Sequence, residues 1–361
     1  TQLPQSAATI DPLWAAADDD AARGLPRERA VEPATHFHRP VPRMFTARER
    51  ATTTILFTGL TWKHGRLIQA TLEGLGYRCQ ELPDPDRRAF QLGKEYGNTG
   101  QCNPTHFGTG SLIQFLQARE AAGMDRQQIS ERYVFLTAGA CGPCRFGMYE
   151  AEFRLALRNA GFDGFRVILF QQHGLSQAGE EAGVKIDADF MLALLMSFVL
   201  ADLVNDIAYQ IRPYEVQRGA TDEALAMSIE ELHGLVLQRV ASVRQEPGLR
   251  WLENLPGSEP LRVGLRLRRY LHGRDLTAAL DRIARRFGQI AVDRTQTRPI
   301  VKTTGEFWAQ TTEGDGNFGM LGFLESEGAE VVADPVSAWL PFSVHQARVK
   351  ARDRLTFSAD F

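Results

Sequence analysis

The chain has 361 residues, 43% hydrophobic and 24% charged, with a formal net charge of -3. That length fits two or three domains with real cores, and no Lys/Arg run interleaved with aromatics points to nucleic acid. Four cysteines are too few for a secreted disulfide framework of this size, and no basic-then-apolar leader is visible. The expectation is a cytoplasmic protein in which a close cysteine pair signals metal or redox chemistry.

Residues 1–50 hold Pro4, Pro12, Pro26, Pro33, Pro40 and Pro42 and an Asp18-Asp19-Asp20 run, and read as an extended arm or linker. His36 and His38 fall in it, at a spacing that could bind a metal but is commoner in exposed residues. Thr53 to Leu60 reads as a first strand, and Leu67, Ile68, Leu72 and Leu75 as a helix face. Tyr77 to Leu82 is a second strand that contains Cys79, read as a small buried hydrophobe.

Gly97 to Pro104 (GNTGQCNP) is a glycine-rich turn that holds Cys102 just ahead of a helix. Tyr133 to Ala138 (YVFLTA) reads as a buried strand, and Phe146, Tyr149, Phe153 and Leu157 then recur at helical spacing. Cys141 and Cys144 lie at that strand-to-helix junction, with Pro143 suited to a first helical turn. Arg166 to Phe170 is a fourth strand, followed by His173.

From Asp187 long helices take over, 187–211 and Thr221 to Val243, joined by Arg212-Pro213-Tyr214. The most apolar stretch, Phe190 to Val204, is interrupted by Asp202 and is too short to span a bilayer, so no membrane association is expected. Leu276, Leu280, Ile283 and Phe287 continue in helical register. Ile300 to Phe307 reads as a strand, Asn317 to Glu327 as a helix, Ala329 to Ala333 as a strand, and a last helix follows Pro335. The pattern predicts an α/β protein. A Rossmann-like parallel sheet fills 51–186, a helical segment 187–295, and the start of a second α/β unit 296–361. The polar end carries no second half of a sheet, so the chain looks cut short there.

In a parallel sheet, neighbouring turns converge at the carboxyl edge, where ligands bind. Cys102, Cys141 and Cys144 are therefore expected at one edge, near helix N-termini that favour thiolates. Three soft ligands suit iron–sulfur or zinc, while dithiol redox chemistry needs only the pair. All three readings stand, beside a purely structural one. His173 and Glu306 are candidate catalytic groups. His106, four residues after Cys102, reads as structural. Gly305 to Asn317 (GEFWAQTTEGDGN) offers Glu306, Glu313 and Asp315 as acid/base or cation-holding groups, with an exposed-looking Trp308. Its structural reading is an acidic turn with Asn317 capping a helix. GLTWKHG after the first strand carries no phosphate-binding glycine pattern, and no Walker loop or GxSxG occurs.

GNTGQCNP (97–104), TAGACGPCRFGMYE (137–150), YQIRPYE (209–215) and GEFWAQTTEGDGN (305–317) together resemble the activase-related and dehydratase-like proteins of the 2-hydroxyacyl-CoA dehydratase family. The resemblance covers about residues 50 to 345. It implies a [4Fe-4S] cluster held by Cys102, Cys141 and Cys144. It also implies electrons supplied by an actin-like ATPase (activase/reductase) partner, an acyl-CoA as a candidate substrate, and membership of an oligomer or larger assembly. The chain departs from that family in lacking the actin-like ATPase module and in having one complete α/β lobe where dehydratase subunits have two. Two other readings remain: a non-catalytic scaffold stabilised by zinc or a cluster, and a CxxC dithiol oxidoreductase.

Overall fold

The computed structural model describes residues 43–139, 145–171, 174–175, 181–245, 259–305 and 307–358. His36, His38, Cys141, Cys144, His173 and Glu306 lie outside the described residues.

The first unit runs β1 (Thr54–Phe57), α1 (Trp62–Gly74), β2 (Arg78–Glu81), α2 (Arg87–Tyr96), α3 (Asn103–Ala121), α4 (Arg126–Arg132), β3 (Tyr133–Ala138), α5 (Tyr149–Asn159), β4 (Val167–Gln171) and β5 (Gly174–Leu175). The sheet order is β2-β1-β3-β4-β5. The first four strands are parallel, as the strand–helix alternation predicts, and β5 adds an antiparallel edge. β1 is shorter than its apolar run, and the chain beyond it turns at Gly59, whose φ of +117 belongs to glycine.

Alternate side chains point to opposite faces of a strand, so each strand feeds two cores. Ile55, Phe57, Val134 and Ile168 face one side with Leu67 and Leu72 of α1. Leu56, Phe135 and Val167 face the other with Leu112, Ile113 and Leu116 of α3, Ile129 of α4, and Phe153 and Leu157 of α5. Each such side chain contributes about 1.5–3 kcal/mol on burial.

α6 (Ala188–Ile211) and α7 (Ala220–Gln245) follow, then α8 (Glu259–Leu271) and α9 (Arg274–Gly288). The sequence sets 187–295 apart as a separate helical segment, but in the structure it shares the core of the sheet. Met196 and Leu200 of α6 and Ile229, Leu232 and Val236 of α7 sit in one cluster with Ile55 and Phe57. By length and apolarity alone α6 would pass as a membrane span; here it packs against α1 and α7. The expected arm also ends earlier than residue 50. Phe45 is buried in the same core, and Thr46 bridges to Ala182.

The second unit contains β6 (Ile300–Lys302), α10 (Phe307–Thr311), α11 (Met320–Ser326), β7 (Glu330–Val332) and α12 (Trp339–Ser358). β6 and β7 pair in parallel. Phe307, expected at the end of a strand, opens a helix instead. Leu321 and Val331 pack on Tyr209 of α6, which joins the two units.

Candidate functional site

After β1 the chain crosses to β2 on one side, and after β2 it returns to β3 on the other. This reversal opens a crevice outside the carboxyl ends of β1 and β3. Thr58 to Thr61 and Ala138 onward lead out of those ends.

Cys102 is the N-cap residue of α3. The sequence places it on a strand-to-helix turn; the structure places it on the turn between α2 and α3. It still reaches the expected edge. Phe115, in the second half of α3, stacks edge-on against Tyr133, the first residue of β3. The C-terminal half of α3 therefore lies at the amino edge, and Cys102, about 20 Å up the helix axis, at the carboxyl edge. Glycines allow this hairpin. A side chain at Gly93 would stand 1.8 Å from the His106 carbonyl oxygen, and one at Gly110 would stand 1.6 Å from that of Ala89.

The Cys102 sulfur lies 3.1 Å from the Thr105 hydroxyl and 3.3 Å from that of Tyr149. Arg145–Met148 forms a short 3-10 helix that feeds directly into α5 at Tyr149. The segment leaving the CxxC turn thus arrives beside Cys102. Among the described residues no group of three His, Cys, Asp or Glu side chains could hold a metal ion. A metal centre here would need Cys141 and Cys144 beside Cys102. The donor chemistry of Cys102 fits a thiolate ligand, because a sulfur flanked by two hydroxyls has its outer-shell hydrogen-bond partners in place.

Among the described residues, Cys79 and His106 have structural surroundings. Cys79 lies half-buried in β2, where burial pushes its thiol up to about 12. His106 is buried, with Nδ1 3.2 Å from the Gly93 carbonyl oxygen.

The acidic turn covers the same edge, and Glu313 and Asp315 are engaged rather than free. Glu313 ion-pairs with Lys63 on the first turn of α1. Asp315 accepts the backbone N–H of Arg87 at 2.9 Å, where the α2 dipole favours an anion. Trp308, expected exposed, is half-buried and donates from Nε1 to the Gly316 carbonyl at 3.1 Å. Asn317, expected as a helix cap, is buried and donates to the Thr312 carbonyl. Gly319 caps α11 instead. Phe318 stacks on Phe107 of α3, with centroids 5.8 Å apart.

The sequence reading missed a buried polar system beside this edge. His64 Nδ1 lies 2.7 Å from the Thr61 hydroxyl, and Nε2 lies 2.9 Å from Asp202 on α6. Asp202 also accepts the backbone N–H groups of Val336 and Ser337, at 2.8 and 2.7 Å. Burial opposes its charge, but the hydrogen bonds from His64 and Ser337 prevail and hold its carboxyl below the usual range. Thr61, His64, Asp202 and Val336 line a cavity of about 20 Å³ with Tyr209 and Thr311, enough for one water. Lys63 is buried, and burial lowers its pKa against the pull of Glu313. The Glu81 carboxyl fills the space that a side chain at Gly65 would need. Burial, with Asp84 and Glu313 nearby, raises that carboxyl to about 8.

The signal was present in the sequence. Lys63 and His64 are polar residues in the first turn after a buried strand, where a helix face should be apolar.

The YQIRPYE motif fastens the same two units. Arg212 pairs with Asp222 and Glu325, and the Tyr214 hydroxyl donates to Glu330.

Comparison with protein-family models, with curated proteins and with solved structures finds no match to this chain.

Proposed function

We propose that the chain is an iron–sulfur component that accepts low-potential electrons from an ATP-driven activase-type partner. In this it resembles 2-hydroxyacyl-CoA dehydratase-like proteins, with Cys102, Cys141 and Cys144 as ligands of one [4Fe-4S] cluster. The observation that carries the reading is the Cys102 sulfur. It sits at a helix N-terminus outside a topological switch point, 3.3 Å from the hydroxyl of the residue that opens α5. A bound cluster of this kind supplies one-electron chemistry, and three cysteines leave one iron position for a non-cysteine ligand.

The chain's own residues would prepare that site. Thr105 and Tyr149 fix the sulfur by hydrogen bonding. The acidic turn, held by Lys63 and the α2 N-terminus, covers the neighbouring part of the crevice from water. No side chain is assigned to bind an acyl-CoA.

The test is anaerobic reconstitution of the whole chain and of its four Cys→Ser variants. About four irons with matching sulfide are expected, lost at positions 102, 141 and 144 and kept at 79. Zinc in place of iron would favour the scaffold reading, and a metal-free, redox-active pair the dithiol oxidoreductase. Full iron in Cys102→Ser would refute the ligand set. The isolated chain is also expected to lack ATPase activity, since no phosphate-cradling loop with Lys and Ser/Thr occurs in it.

A further inference from the structure

The helical hairpin α8–α9 carries a strong local charge on an acidic chain. Four arginines on each helix face only three acidic residues across Glu259–Gly288. Several are neutralised: Arg266 pairs with Asp189, and Arg282 and Arg286 pair with Glu231. Arg268 and Arg274 are exposed and have no partner among the described residues.

Both line an open groove of about 990 Å³ at the corner of the hairpin, with Arg269 and His272 beside them and Leu265 and Ala278 on its apolar floor. Asp281 is the single acidic residue on its wall.

The corner is a built one. Arg239 of α7, 6% exposed, donates to the carbonyls of Arg269, Tyr270 and His272 at 2.8–3.0 Å and pairs with Asp275. It satisfies the carbonyls that end α8 and leaves the corner no freedom to splay. Gly273 is required there, since a side chain would stand 2.2 Å from the pinned Arg239 guanidinium. The groove walls are thus fixed from below while two guanidinium groups remain uncommitted above. Guanidinium forks match phosphate oxygens, and an open groove of this size on a pinned backbone has room for a small ligand.

The geometry points to a binding site for a small phosphorylated ligand of nucleotide size, with its phosphates on Arg268 and Arg274 and its apolar or planar part on Leu265 and Ala278. α9 packs on α7, on the sheet face opposite α3, so this site is separate from the Cys102 edge.

The probes are inorganic pyrophosphate and ADP, titrated calorimetrically into the whole chain at about 0.15 M salt. Both should bind, ADP the more tightly. The double variant Arg268→Ser/Arg274→Ser should weaken both by about tenfold or more. Arg285→Ser, an exposed arginine outside the groove, should leave both unchanged. Far-UV circular dichroism confirms that the variants are folded, as expected for exposed residues without partners. No binding of either probe at about 1 mM, or equal affinity in the double variant, overturns the proposal. So does binding of poly-glutamate alone, which would make the hairpin a docking surface for an acidic protein.

Discussion

His64 Nε2 donates to Asp202 at 2.9 Å, so one imidazole joins the first helix of the large sheet to α6. The same carboxylate receives two backbone N–H groups from the first turn of the short 3-10 helix that follows β7. A carboxylate only accepts, so Nε2 must carry a proton and Nδ1 faces the Thr61 hydroxyl. Three segments far apart in sequence meet on one buried acid.

Asp202→Ala should therefore cost about 3 kcal/mol or more, because it strands a buried imidazole and two backbone donors beside a cavity with room for a single water. Asp202→Asn, which keeps one acceptor oxygen, should cost less. Urea unfolding measures both, and a loss below about 0.5 kcal/mol for the alanine variant would contradict the account.

Lys63 and Glu313 form the second fastening, and Lys63 is the more deeply buried partner. Lys63→Met should be tolerated better than Glu313→Gln, because the glutamine variant leaves a buried ammonium without its counter-charge. The double variant should recover part of the loss. A double-mutant cycle on chemical denaturation reads the coupling, and strict additivity would show that the pair does not hold the turn.

Glu81 gives stability a pH dependence of known sign. Its folded pKa, about 8, lies above the ordinary glutamate value of 4.5. Between those values the native state holds more protons than the unfolded one, so stability falls as pH rises. The melting temperature should drop between about pH 5 and pH 8. Glu81→Gln should flatten that slope and stabilise the protein most at the alkaline end. An unchanged slope in the variant would locate the effect elsewhere.

Gly110→Ala should destabilise by about 2 kcal/mol or more, since its new methyl would collide with the Ala89 backbone across the α2–α3 crossing. Gly264→Ala is the counterpart. It lies inside α8 with nothing within 4 Å, and should gain about 0.5–1 kcal/mol. Thermal melts of the two should move in opposite directions.

Much of the fold was legible because local pattern and global architecture agree. YVFLTA is β3 to the residue, and the helix expected over 187–211 runs Ala188–Ile211, with Asp187 as its cap. The errors share a cause. Periodicity shows that α6 and α7 have apolar faces but not which surface they cover, so the helical segment looked like a region of its own. Of the candidate site, the position of Cys102 ahead of a helix could be read, but not that the helix follows another helix. The acids of the turn looked available because their partners, Lys63 and the Arg87 backbone, lie more than 200 residues away. The polar first turn of α1 could be read, but the pairing of His64 with Asp202, 138 residues away, could not, for the same reason.

The Lys63–Glu313 contact spans 250 residues, and that separation sets an order of assembly on the ribosome. At about 5–20 residues per second, roughly 10–50 s pass between synthesis of the lysine and synthesis of its counter-ion. Through that interval the ammonium of Lys63 stays hydrated, and the edge that bears Cys102 has no acidic turn over it. Sealing of that edge is thus a late event in biogenesis, timed by the acidic turn rather than by the sheet it covers.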